Sequence, residues 1–237
     1  LISIEEEKKM RRLFVVVGVL LVSAGSALAQ EFPKVETSPA FMFIRNNPNF
    51  TNAFTVENPT TGQTAITGQN SFNCAGGGGT IAYNFSSMLG IASDLGGCKF
   101  FGSTIGLGNT INGNQFTYLF GPRLTFRNAS PLTPFFELSF GGDRLSASCK
   151  NNATACVNAT GGNTYSKNAF ALSVGGGFDI KINKKFSIRP VQIEYLYTRF
   201  GNDCALAVCN NNNNQNSLRL KSGIVVGWGG SASSAAN

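Results

Sequence analysis

The sequence predicts an all-β chain, folded as an eight-stranded antiparallel up-and-down transmembrane β-barrel. Three observations predict it. Aromatic and aliphatic residues alternate with small or polar ones at period two, the signature of strands whose two faces meet different surroundings. The connections between these segments alternate between very short and long. An export segment stands at the N-terminus.

The export segment has Lys8, Lys9, Arg11 and Arg12 before an apolar run from Leu13 to Val22, then a small-residue stretch closing on Ala27, Leu28 and Ala29. This is the order of a secretory signal peptide, with cleavage expected after Ala29; an uncleaved membrane anchor is the alternative. Met10 reads as the natural start, so residues 1–29 are an upstream extension plus signal, 30–229 the barrel and 230–237 a short flexible tail. The mature segment, about 208 residues, suffices for one closed β domain.

Composition excludes several classes. No apolar run beyond the signal approaches the roughly 20 residues that a spanning helix needs. The net charge of +7 falls to +6 once the export segment is removed, and the remaining basic residues are scattered without a basic stripe, so nucleic acid is not an expected partner. With no histidine and no C-x-x-C spacing, zinc is not expected either.

Eight segments follow in order, at 34–45, 73–85, 89–101, 115–128, 132–146, 168–182, 185–200 and 216–229. The clearest is the fourth, where Phe116, Tyr118, Phe120, Pro122, Leu124 and Phe126 alternate with Thr117, Leu119, Gly121, Arg123, Thr125 and Arg127. Phe136, Leu138 and Phe140 do the same in the fifth, Phe170, Leu172, Val174, Phe178 and Ile180 in the sixth, and Leu218, Leu220, Ile224, Val226 and Trp228 in the last. Connections after the second, fourth and sixth segments are short, near Ser86–Met88, Asn128–Pro131 and Asn183–Lys184. Those after the first, third, fifth and seventh are longer and mostly rich in Asn, Thr and Gly. Short periplasmic turns opposite long extracellular loops, with an even strand count, suit a bacterial outer-membrane barrel.

Polarity decides which face points inward. In lipid the apolar face turns outward and polar groups fill the lumen, whereas a water-soluble barrel does the reverse. The face opposite the aromatics carries Asp94, Arg123, Glu137, Asp143, Asp179, Glu194, Arg219 and Lys221. Charges at such mid-strand positions would disrupt a dry soluble core unless paired, so the lipocalin-like soluble barrel is the weaker architecture. Closing the fourth and fifth segments around Asn128–Pro131 sets Arg123 across from Glu137, a lumenal ion pair expected to be joined by Asp179 and the basic residues of the last strand.

Exported cysteines meet an oxidising compartment. Cys149 and Cys156 share one polar loop and Cys204 and Cys209 another, so two local disulfides are expected. Closing the second and third segments around Ser86 brings Cys74 opposite Cys98, either as a third disulfide or as two thiols on neighbouring strands. The glycine run Gly76–Gly79 lacks the Gly-Lys-Ser/Thr ending of a phosphate loop and reads instead as wall that admits bulky lumenal neighbours.

The segment Tyr118–Arg127, the run Gly175–Lys181 and the stretch Ile188–Tyr195 with Arg199–Gly201 resemble the OmpA-like small outer-membrane β-barrels. The likeness spans about 34–229. Many such proteins carry a periplasmic peptidoglycan-binding domain; with nine residues after Trp228, a barrel alone is expected here. The last strand resembles the insertion signal of these barrels: Lys221, Gly223, Val226 and Trp228 fall at its polar, glycine, apolar and aromatic positions. That likeness implies the barrel-assembly machinery as a partner during biogenesis and outer-membrane lipid thereafter.

No catalytic, cofactor-binding or metal site is expected. The absence of histidine removes the usual general base near neutral pH, and lumenal carboxylates facing Arg and Lys are ordinarily structural. Two function classes stand. One is a structural barrel, with narrow passive permeation as a variant. The other is an adhesin or receptor binding extracellular ligands through its long loops, among them the run Asn210–Asn214.

Overall fold

The computed structural model describes residues 32–49, 54–57, 64–67, 71–105, 109–150, 156–157, 164–200, 203–205, 208–210 and 214–229. Eight long strands build the barrel: β1 (Val35–Asn49), β4 (Phe72–Asn84), β5 (Leu89–Ile105), β6 (Asn109–Thr125), β7 (Leu132–Lys150), β9 (Thr164–Lys181), β10 (Phe186–Arg199) and β13 (Asn214–Trp228). Each pairs antiparallel with its neighbour in sequence, and β1 closes the ring against β13. Closure satisfies every strand edge, which a bilayer interior demands because it offers the backbone no water. The strand count and the directions agree with the sequence reading.

The small strands β2 (Phe54–Glu57), β3 (Thr64–Thr67) and β8 (Cys156–Val157) form one accessory sheet, and β11 (Asp203–Ala205) with β12 (Val208–Asn210) another. All five lie in stretches read from sequence as loops. The long strands also outrun their predicted limits: β5 and β6 continue until only residues 106–108 separate them, where a long loop is expected. Alternation marks a strand only where its two faces meet unlike surroundings. Beyond the membrane the outer face no longer meets lipid, so pairing continues through sequence that carries no periodic signal.

The short turns form the opposite end. At Phe85–Met88, Ser86 Oγ accepts hydrogen bonds from the Met88 and Leu89 amides at 3.3 and 2.9 Å. The same end holds the start of β1 and the end of β13, where Gly229 turns the chain at φ +66°. Short turns mark this as the periplasmic end.

Outward positions are apolar all round the wall, with Phe41, Ile81, Leu95, Phe120, Phe140, Phe170, Ile193, Leu218 and Trp228 exposed. Inward positions carry the charges. This is the inverse of a soluble core and agrees with the polarity argument. The lumen is nonetheless not polar throughout. Nearer its extracellular end Met42, Ile44, Cys74, Cys98, Phe100, Leu145 and Phe200 form a buried apolar cluster, with Phe72 and Phe100 ring centroids 4.7 Å apart. A lumen too narrow for water accepts apolar filler as readily as paired charge.

Candidate functional site

The lumenal side chains assemble in two connected charge clusters. In the periplasmic one, Arg123 lies 3.5 Å from Glu36, 3.6 Å from Glu137 and 3.4 Å from Asp179. Arg189 donates from Nε to Asp179 Oδ1 at 2.7 Å and from Nη2 to Oδ2 at 3.0 Å, a bidentate pairing. Arg127 donates to Glu36 at 2.5 Å. Phe135 sits beside two cations at once: the guanidinium carbons of Arg123 and Arg189 each stand 4.2 Å from its ring centroid.

In the second cluster, Arg219 pairs with Asp94 at 2.8 Å and, through Nε, with Glu194. Lys221 donates to Asp94 at 2.5 Å and lies 3.2 Å from Glu194, while Thr80 donates to Asp94 at 2.9 Å. Gln192 joins the clusters, its amide nitrogen donating to Glu137 at 3.0 Å and to Glu194 at 2.6 Å. A polar layer lies nearer the extracellular end: Asn46 donates to Gln115, which donates to Asp143 at 2.7 Å, and Thr198 donates to Asp143 at 3.1 Å.

All eight lumenal charges named from sequence therefore point inward, but they do not form one element. Arg123, Glu137 and Asp179 share the first cluster. Asp94, Glu194, Arg219 and Lys221 make the second, so the basic residues of the last strand do not join the Arg123 group as expected. β13 delivers Arg219 opposite Glu194 of β10 and Lys221 opposite Gln192, with its ammonium reaching Glu194, across the barrel from Arg123 of β6. Asp143 meets amides and hydroxyls; among the described residues no cation lies within ion-pair distance of it.

Three members escaped the sequence reading. Glu36 could have been found by counting at period two from Phe41 and Phe43, whose outward facing puts even-numbered residues of β1 inside. Arg127 was placed on the polar face but not among the site charges. Arg189 carried no usable signal, because a bulge at Pro190 and Val191 shifts the register between Arg189 and Gln192. Strict alternation from Gln192 and Glu194 would aim Arg189 at lipid, whereas the extra residue returns it to the lumen.

The cysteines correct the register expected of β4 and β5. Cys74 stands opposite Phe100, and Cys98 opposite Gly76, two residues away from the expected pairing. The turn is longer than one centred on Ser86, for Asn84 already pairs with Gly90. An even shift keeps both cysteines on the lumenal face, and they form a disulfide with Cα atoms 5.5 Å apart. Gly76 makes the diagonal possible, since a Cβ there would come within 2.9 Å of Cys98 Cβ. Gly76 and Gly78 thus accommodate the backbone of β5 rather than bulky lumenal groups, a correction to the sequence reading; Gly96, against the Met42 side chain, does serve that purpose.

The side chains of Cys149, Cys156, Cys204 and Cys209 lie outside the described residues, although the backbone sets Cys204 directly opposite Cys209. Of the expected loop tip Asn210–Asn214, Asn210 ends β12 and Asn214 begins β13, while 211–213 lie outside the described residues. In the last strand Lys221 faces inward, Gly223 sits against the β1 backbone, and Trp228 faces outward with Nε1 donating to Thr37 Oγ1 at 3.3 Å.

A closed ring of eight strands, apolar outside and charged within, is matched in sequence by the outer membrane protein beta-barrel domain over residues 14–228. The chain belongs to this family. No curated protein matches it in sequence. Among solved structures this outer-membrane barrel is similar to Neisserial surface protein A, at 13% identity over 82% of this chain and 97% of that one, with a TM-score of 0.50. It is also similar to Ail of Yersinia pestis in complex with the heparin analogue sucrose octasulfate (12% identity, 81% and 99% covered, TM-score 0.44). A third is OprG from Pseudomonas aeruginosa (11%, 83% and 96%, 0.46). At such identities the likeness shows the fold. In a barrel of this family the exposed aromatic and aliphatic belt faces membrane lipid.

Proposed function

We propose that the protein is a non-conducting, non-catalytic structural barrel of the outer membrane. One observation supports this reading: Arg123, Arg189, Arg219, Gln192 and Gln115, which point into the lumen, are each only 1% exposed, leaving little surface for a file of water to follow. A permeation route needs at least one file of water, and two charge clusters stacked across the lumen occupy that space. An eight-stranded barrel encloses a lumen its own side chains can fill. In this reading the signal is cleaved after Ala29, and Lys221, Gly223, Val226 and Trp228 present the last strand to the assembly machinery.

Reconstitution of the refolded barrel into planar bilayers tests the proposal. The expected trace stays at the level of protein-free membrane. Steady conductance steps from wild-type protein, abolished by bulky lumenal substitutions, would overturn it in favour of a narrow pore.

One observation favours a second role on the same scaffold. β5, β6, β7 and β9 run 17, 17, 19 and 18 residues. A tilted strand crosses a bilayer in roughly 9–11. The surplus forms a paired extracellular wall on one side of the barrel, a rigid surface able to hold a ligand. Trimming β6 and β7 to the membrane boundary should abolish cell-surface binding if this role holds, with the barrel still folded.

A further inference from the structure

The periplasmic end opens into a cavity of about 570 Å³, within the roughly 300–1,000 Å³ of small-ligand sites. Glu36, Arg127 and Asp179 of the Arg123 cluster line its floor, and Arg123, Arg189 and Glu137 complete the cluster behind them. Three acids against three bases leave the cluster under that floor neutral. The rim is different. Lys181, Lys184 and Lys185 line the cavity, and among the described residues no carboxylate comes within ion-pair distance of any of them. The Lys181 ammonium donates to the Asn128 carbonyl at 3.4 Å.

Two further features point to a ligand. Thr133 lines the cavity, 4% exposed, with its hydroxyl oxygen buried and without a hydrogen-bond partner. A buried hydroxyl ordinarily finds a partner, and its lack here marks a polar position that a ligand oxygen can fill. Trp228 and Phe32 stand at the same cavity. Aromatics of this kind settle at the level of lipid headgroups.

We propose that this vestibule binds a phosphate group, the anionic headgroup of a lipid in the periplasmic leaflet. The three lysines supply the charge, the Thr133 hydroxyl a donor to a phosphate oxygen, and the aromatic rim the contact with the glycerol and the first methylenes. The neutral floor explains why the cavity accepts an anion beside Glu36 and Asp179: both carboxylates are already engaged by guanidinium groups. Nothing in this site depends on whether the lumen conducts.

The test uses the refolded barrel in maltoside micelles, which contain no phosphate, titrated calorimetrically with dihexanoylphosphatidylglycerol and separately with inorganic phosphate. Saturable binding of the short-chain lipid is expected, weakened roughly fivefold for each lysine removed in K181Q, K184Q and K185Q. Lys99→Gln, an exposed lysine at the far end of β5, should leave affinity unchanged, and retention of the heat-induced gel shift identifies which variants fold. Inorganic phosphate binding with equal or greater affinity, and with the same dependence on the lysines, would support the phosphate site and assign it a soluble ligand. Absence of saturation with both probes, or lipid binding indifferent to all three lysines in folded variants, would overturn the proposal.

Discussion

The lumenal carboxylates are alike in chemistry and differ in what surrounds them, and that difference governs what substitution does. Arg123 faces Glu36, Glu137 and Asp179 with about 1% of its surface exposed. Arg123→Gln leaves buried acids short of a cation and should destabilise the barrel by about 3–5 kcal/mol. Combined with Glu137→Gln the loss should be less than additive, read from urea unfolding of the two single variants and the double. Asp143 is the counter-case. Its contacts are the Gln115 amide and the Thr198 hydroxyl, and its second carboxylate oxygen has no hydrogen-bond partner. Asp143→Asn removes a buried charge that no described cation meets within ion-pair distance, so it should cost under about 1 kcal/mol or stabilise. A loss as large as that of Arg123→Gln would show that Asp143 has a partner beyond Gln115 and Thr198.

At the scale of elements, sequence and structure part company where the chain leaves the membrane and where a strand is irregular. Phe116–Phe126 was legible because lipid on one side and lumen on the other impose strict alternation. The extracellular halves of β5, β6, β7 and β9 lack that imprint, because Leu145, Ala147 and Ala169 are buried there among polar neighbours such as Ser146 and Ser148 that do not mark the opposite face as lipid-facing. The bulge at Pro190 hid Arg189, and the longer turn at Phe85–Met88 displaced the β4–β5 register, because both depend on backbone geometry that residue types do not encode one by one. The Cys74–Cys98 disulfide joins β4 to β5 across 24 residues of chain. By the loop-length relation it constrains the unfolded chain by about 3 kcal/mol. Both strands are already paired along their length, so reduction should lower the urea midpoint while the folded barrel persists. Reduced protein whose unfolding curve overlays the oxidised one would show that the bond adds nothing to the ladder.

For the molecule as a whole, ring closure makes unfolding cooperative: no strand can leave without exposing two edges to a solvent that cannot satisfy them. Outer-membrane extracts run unboiled should therefore migrate as a compact band that shifts after boiling. The shift should survive reduction, because backbone pairing and the lumenal clusters persist without the disulfide. A protein recovered in the periplasm with no shift would contradict the membrane location that the apolar belt requires.

The sequence by itself determined the class of the protein: eight strands, their order and direction, the inversion of polarity that places it in lipid, and the identity of most lumenal charges. Those properties follow from a period of two and from the cost of leaving charge unpaired, and both can be counted along a chain. Tertiary structure alone decided who pairs with whom. The division of the charges into two clusters, the inward turn of Arg189, the diagonal Cys74–Cys98 bond and the lysine-rimmed vestibule all arise where distant strands are brought together. Register, bulges and closure set those juxtapositions, and they are collective properties of the ring rather than of any one segment.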